Sequence, residues 1–109
     1  MARRIVEIVS DRQANDIVLL DISNIASFTD YFVICHGDNL RQIKAIVDAI
    51  VDGLSHEGFQ ADHVEGTPES GWVLIDFGSI IVHVFGPDER EYYRLEKLWS
   101  EGTVVLRAQ

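Results

Sequence analysis

The sequence contains a single cysteine, Cys35, so no disulfide can form within the chain, and the composition suits a reducing compartment. It has no basic cluster longer than Arg3-Arg4, and its 9 Lys and Arg face 18 Asp and Glu, a formal charge of −9. A surface that grips phosphates needs a basic patch, so little direct nucleic-acid binding is expected. An acidic domain is instead steered toward basic proteins. No apolar run approaches the roughly 18 residues of a membrane span. Arg3-Arg4 is followed by Ile5-Val6-Glu7-Ile8-Val9-Ser10-Asp11, an amphipathic stretch with acids rather than an apolar targeting core. The expectation is a soluble, non-exported, cytoplasmic protein.

Signatures of chemistry are also missing. Cys35, His36, His56, His63 and His83 are scattered without metal-ligand spacing, and Cys35 and His36, adjacent on a strand, point to opposite faces. No metal or other cofactor is expected. Cys35 reads as a small buried apolar residue rather than a nucleophile, because no base or nucleophile elbow accompanies it. Gly37-Asp38-Asn39 precedes a helix but lacks both phosphate-loop patterns, and a helix cap explains it. Asp62 and Asp76 have no second acid at the spacing two-metal phosphoryl chemistry requires. His83, inside an aliphatic strand, reads as a core or half-buried histidine with one hydrogen-bond partner. Asp76 across the hairpin could orient it. No catalytic residue is assigned.

What is present fits one domain of 109 residues, with 47% hydrophobic and 25% charged residues, close to globular usage. Residues 2 to 13 suggest a helix with Ile5, Ile8, Val9 and Arg12 on one side. Asp16 to Ile22 and Tyr31 to His36 read as strands, joined by a connection through Thr29. Leu40, Ile43, Ile46, Val47, Ile50, Val51 and Leu54 recur at helical spacing, with Asn39 and Gln42 as a capping box and Gly58 as the stop. Phe59 to Glu65 suggests an edge strand. Trp72–Phe77 and Ile80–Phe85 flank the two-residue turn Gly78-Ser79 as a hairpin, its second strand apolar enough to be covered on both faces. Gly86-Pro87-Asp88-Glu89 opens a last helix with Tyr92, Leu95 and Trp99 along one stripe. The tail from residue 100 to 109 reads as a short strand or a loosely packed extension. The order predicts an α+β fold, a mixed α/β sandwich with a mixed five-stranded sheet and flanking helices.

Trp72, Tyr92, Tyr93 and Trp99 concentrate in the last third of the chain near Arg90, Arg94 and Lys97. Trp, Tyr and Arg dominate interface hot spots because they bury large areas and keep polar handles. Tyr92 and Leu95 are expected in the core. Trp72 and part of Tyr93 to Trp99 are expected on an exposed patch.

These residues fall in a pattern. Gly71-Trp72-Val73-Leu74-Ile75-Asp76-Phe77-Gly78, Val82-His83-Val84-Phe85 and Pro87-x-x-Arg90-x-x-Tyr93-x-Leu95-Glu96-x-Leu98-Trp99 resemble the signature of the ribosomal silencing factor (Iojap-like) family. Ala14-x-Asp16-Ile17, Leu20-Asp21, Asp30-Tyr31-Phe32-Val33-Ile34 and Gly37-x-Asn39-x-Arg41-Gln42 agree with it, so the likeness runs over residues 5 to 99. Gly86 stands where histidine is common, and Cys35-His36 replaces a pair usually small or hydroxylic.

The resemblance implies a nucleotidyltransferase-like topology without its catalytic acids, and a non-enzymatic factor. It implies binding to ribosomal protein L-fourteen on the intersubunit face of the large subunit. Small-subunit joining would be blocked there, lowering translation under nutrient limitation, and the free protein is expected to be a homodimer. By position, Trp72, Asp76 and His83 are carried onto or beside the docking surface, with Arg90, Tyr93, Glu96, Leu98 and Trp99 as its last-helix part. The competing reading is a small nucleotide-binding or nucleotidyltransferase-like enzyme.

Overall fold

The computed structural model describes residues 1–108. It opens with α1 (Ala2–Asp11), β1 (Asn15–Asp21), β2 (Tyr31–His36) and α2 (Leu40–His56). A short β3 (His63–Glu65), a 3-10 turn (Pro68–Ser70), β4 (Trp72–Asp76) and β5 (Ile80–Phe85) follow. The described chain closes with α3 (Pro87–Tyr93), α4 (Leu95–Leu98) and β6 (Thr103–Ala108). The strands form one mixed sheet in the order β3-β4-β5-β2-β1-β6, in which β2 and β5 are parallel neighbours. This is the expected α+β architecture with six strands rather than five. The sixth is β6, which hydrogen-bonds antiparallel along β1 with a register shift between Leu19 and Leu20. Thr103-Val104-Val105-Leu106 is too short a signal to establish a strand alone; the open edge of β1 supplies its partner.

Both long helices cover one face of the sheet. α1 buries Ile5, Val6, Ile8 and Val9, and α2 buries Ile43, Ile46, Ile50 and Leu54, over Leu19, Val33, Cys35, Val73, Ile75, Val82 and Val84. Each such aliphatic side chain contributes about 1.5–3 kcal/mol of transfer free energy. α1 stops at Asp11, so Arg12 is not on its buried side: it is the C-cap and lies exposed. Asn39 caps α2 by accepting from the Gln42 N–H at 2.9 Å. The reciprocal bond is displaced by one residue, since Gln42 Oε1 accepts from the Asp38 N–H. The Gln42 amide also donates to the Gln13 carbonyl at 2.8 Å, tying the start of α2 to the α1–β1 turn. At the other end the Gly58 and Phe59 N–H groups bond back to the Ser55 and Leu54 carbonyls, the Schellman arrangement.

β4 and β5 form the expected hairpin. Phe77 N–H donates to the Ile80 carbonyl at 2.9 Å, and Gly78 takes φ +88 at the first turn position, which a side chain would resist. All six residues of β5 are buried, as befits a strand with neighbours on both edges and layers on both faces. The edge strand expected from Phe59 is reduced to three residues.

The last helix departs most from expectation. It breaks at Arg94, which adopts φ 47 and ψ 55 between α3 and α4. The break turns Leu95 onto the second face of the sheet, where it is buried with Val18, Leu20, Ile22, Phe32, Ile34, Ile81 and Phe85. Tyr92 is left outside the core, 81% exposed. The single stripe of Tyr92, Leu95 and Trp99 therefore does not exist.

Candidate functional site

The second sheet face is only partly covered, and its aromatic rings form a continuous row. At its centre His83 on β5 is 3% exposed, and its ring meets Phe32 edge-on with centroids 4.6 Å apart. Trp72 on β4 is half-buried and donates from Nε1 to His83 Nδ1 at 3.1 Å. Trp72 also packs against Phe85 at 5.1 Å and Tyr93 at 4.4 Å, and Tyr92 stands edge-on to Tyr93. On the other side Trp99 lies edge-on to Phe32 at 5.4 Å and to Phe28 at 5.8 Å. The row thus runs from exposed Tyr92 and Tyr93 through a buried centre to exposed Phe28. Leu98, 74% exposed, projects from α4.

The hydrogen bond defines the His83 tautomer. An indole N–H only donates, so Nδ1 accepts and the proton of the neutral ring sits on Nε2. Burial pushes the His83 pKa down to about 4, in agreement with a neutral ring. Nε2 has no conventional partner, being enclosed beside the Phe32 ring. The partner of His83 is therefore Trp72. Asp76 is instead opposite Ile81, where its Oδ1 accepts from the Gly78 N–H at 2.7 Å and its Oδ2 lies 3.8 Å from His63 Nδ1.

Arg90 and Glu96 form a second, ionic unit under α3 and α4. The Arg90 side chain is 8% exposed and donates from Nε and Nη2 to Glu96 Oε2, at 3.0 and 2.7 Å. Nη2 also reaches the Asp16 carbonyl at 2.9 Å, and Nη1 lies 3.1 Å from His36 Nδ1. Because a guanidinium cannot accept, His36 Nδ1 is the acceptor and that ring too is neutral. Burial, and then the nearby Arg90 charge, lowers the His36 pKa. Burial alone would raise Glu96, but the Arg90 hydrogen bonds, a backbone bond and the Arg90 and Arg107 charges together hold it below its ordinary value.

The residues carried over by resemblance therefore divide. Trp72, His83, Tyr93 and Trp99 meet in the aromatic row, with Leu98 exposed on α4. Arg90 and Glu96 brace the helix break, and Asp76 lies apart at the hairpin end. Sequence reasoning missed Phe28, Phe32 and Leu74 on this face; Phe28 was hidden in a connection without periodicity, where no local pattern marked it. Cys35 lies on the other face, 0% exposed, its thiol pushed up to about 12 by burial. Among the described residues no group of three or more His, Cys, Asp or Glu is placed to hold a metal ion. No described helix is long and apolar enough to cross a membrane.

This fold and face define a class: a mixed α+β domain with its two long helices on one sheet side and, on the other, an aromatic surface only partly covered by the short α3 and α4. The family model described as "Ribosomal silencing factor during starvation" matches residues 1–108. The chain is 47% identical over 95 residues to the ribosomal silencing factor RsfS of Bacillus subtilis, covering 87% of this chain and 80% of that protein. It is 34% identical to a Mus musculus protein named "Mitochondrial assembly of ribosomal large subunit protein 1", over 88% of this chain and 43% of the relative. A crystal structure of a Chromobacterium violaceum protein superposes with a TM-score of 0.87 at 33% identity, covering 91% of this chain and 82% of that one. The chain belongs to the ribosomal silencing factor family, which is named for regulation of the ribosome rather than for a reaction.

Proposed function

We propose that this protein binds ribosomal protein L-fourteen on the large subunit and blocks subunit joining by occupying the intersubunit face, so repressing translation when nutrients are scarce. The observation that carries the reading is the aromatic row on the sheet face away from α1 and α2. Its centre is rigid through the Trp72–His83 bond, and Tyr93 and Leu98 stay exposed beside it. Rigid aromatic anchors lose little side-chain entropy on docking and bury large areas, whereas a reaction would need a nucleophile or a carboxylate cluster. Trp72, Tyr93, Leu98 and Trp99 form the contact surface in this reading, with His83, Arg90 and Glu96 holding it in shape, while Asp76 holds the hairpin turn beyond it. The protein works as one domain over residues 1–109 in the cytoplasm, without enzymatic activity, and pairs as a homodimer when off the ribosome. The mouse relative's name, which refers to the ribosomal large subunit, supports that choice of subunit.

Co-sedimentation with purified ribosomal subunits tests the proposal. Binding to large subunits alone, with fewer joined particles after small subunits are added, is the expected result. A folded protein that sediments with neither subunit, or binds large subunits without reducing joining, overturns it. Sedimentation velocity of the free protein checks the dimer.

A further inference from the structure

The acidic charge is not spread evenly. Every Lys and Arg lies at or before Lys44 or at or after Arg90, while nine of the 18 acids stand between them. That stretch alone accounts for a charge equal to the chain's formal −9, and it builds most of α2 and all of β3, β4 and β5. Of these nine acids, Asp48 and Glu57 are already ion-paired with Lys44 and Arg4, whereas Glu65 and Asp76 lie on β3 and β4, at the sheet edge, on strands that carry no Lys or Arg of their own.

A cleft of about 240 Å³ opens at this edge, lined by Glu65, Gly66, Trp72 and Leu74. Glu65 on β3 is paired with Leu74 on β4, so their side chains share the sheet face that carries the aromatic row. Trp72 and Leu74 give the cleft apolar walls, and the Glu65 side chain, 67% exposed, stands at its mouth with only His63 Nε2 3.1 Å away. Two features make the cleft rigid. Trp72 is held by His83 and Tyr93. Gly66 sits at φ +82 so close to the Trp72 carbonyl that a Cβ there would collide with backbone.

We propose that this cleft is a socket for one arginine or lysine side chain of the docking partner. The aliphatic stem lies along Trp72 and Leu74, and the cationic head reaches Glu65 at the rim. Long basic side chains favour such a division, burying their methylenes while the charge stays near water, and a Trp ring adds attraction for a cation. The proposal rests on the docking reading and specifies which partner chemistry enters beside Trp72.

Two measurements keep the socket and the docking reading separable. In the first, ¹H–¹⁵N spectra of the full chain are titrated with Nα-acetyl-arginine amide and, separately, its uncharged citrulline analogue. Arginine should move the Trp72 indole and Gly66 amide signals, citrulline should not, and Glu65→Gln should abolish the response. In the second, Glu65→Lys should weaken large-subunit binding by roughly tenfold or more through like-charge contact. Asp48→Lys, the same charge change on the solvent side of α2, should leave binding nearly unaltered. Unmoved Trp72 and Gly66 signals, or equal losses in Glu65→Lys and Asp48→Lys, overturn the socket even if the wild-type protein docks. An arginine response in a protein that ignores large subunits supports the socket and overturns the docking reading instead.

Discussion

Replacing Arg90 by methionine should destabilise the fold by about 2–3 kcal/mol. Methionine keeps much of the aliphatic stem, so the loss isolates the guanidinium. That group makes two bonds to Glu96, one to the Asp16 carbonyl and one to His36, from a site 8% exposed. Removing one partner of a buried ion pair costs about 3–5 kcal/mol, because the survivor is left uncompensated. The Glu96 side chain is 26% exposed and can regain some water, which places the expectation below that range. For a domain of this size each kcal/mol moves the melting temperature by about 4–8 °C, so a decrease of roughly 10–20 °C follows.

Urea unfolding followed by circular dichroism gives the free energy, and a double-mutant cycle with Glu96→Gln gives the coupling. The double variant should lose clearly less than the two single losses added together, since both remove the same interaction. A loss below about 1 kcal/mol in Arg90→Met, or strict additivity in the cycle, would refute the claim that this pair braces the helix break.

His83 should make the protein acid-labile. Its pKa is near 4 in the fold against an ordinary 6.5, so the unfolded chain binds the extra proton first. Its contribution is complete above pH 6.5 and is lost as pH falls toward 4, about 3 kcal/mol at roughly 1.4 kcal/mol per pH unit. Denaturant melts of wild type and His83→Gln across that window check it, and an unchanged pH slope in the variant would count against it. Arg94→Gly should stabilise by up to about 1 kcal/mol by relieving the left-handed backbone, as read in thermal melts; a lower melting temperature would mean that the exposed Arg94–Glu91 contacts outweigh the strain. Cys35 should resist Ellman's reagent in native buffer and react on unfolding, and prompt native labelling would contradict its burial.

The parts legible in the sequence were those whose signal is local and repeated. The α2 stripe from Ile43 to Leu54, the Asn39 cap and the Gly78-Ser79 turn each follow from a few neighbouring residues, and each forms. β6 was less legible because its stability comes from the edge of β1, some 85 residues earlier at the Leu20–Val104 pair. The last helix failed as a single stripe because helical periodicity carries no information about one left-handed residue: Arg94 has no turn chemistry, and only the pull of Glu96 toward Arg90 and of Leu95 toward the sheet explains the break. The same limit applies to the site. Trp72 and Tyr93 stood out as residues, but their contact crosses from β4 to α3, and Phe28 and Phe32 join the row from a different part of the chain. Arg90 resembled a surface hot spot because arginine is common in interfaces, yet the ligand it answers to is Glu96. A docking face of this kind is a property of the assembled sheet, so sequence can nominate its members but not decide which side chains face a partner and which hold the others in place.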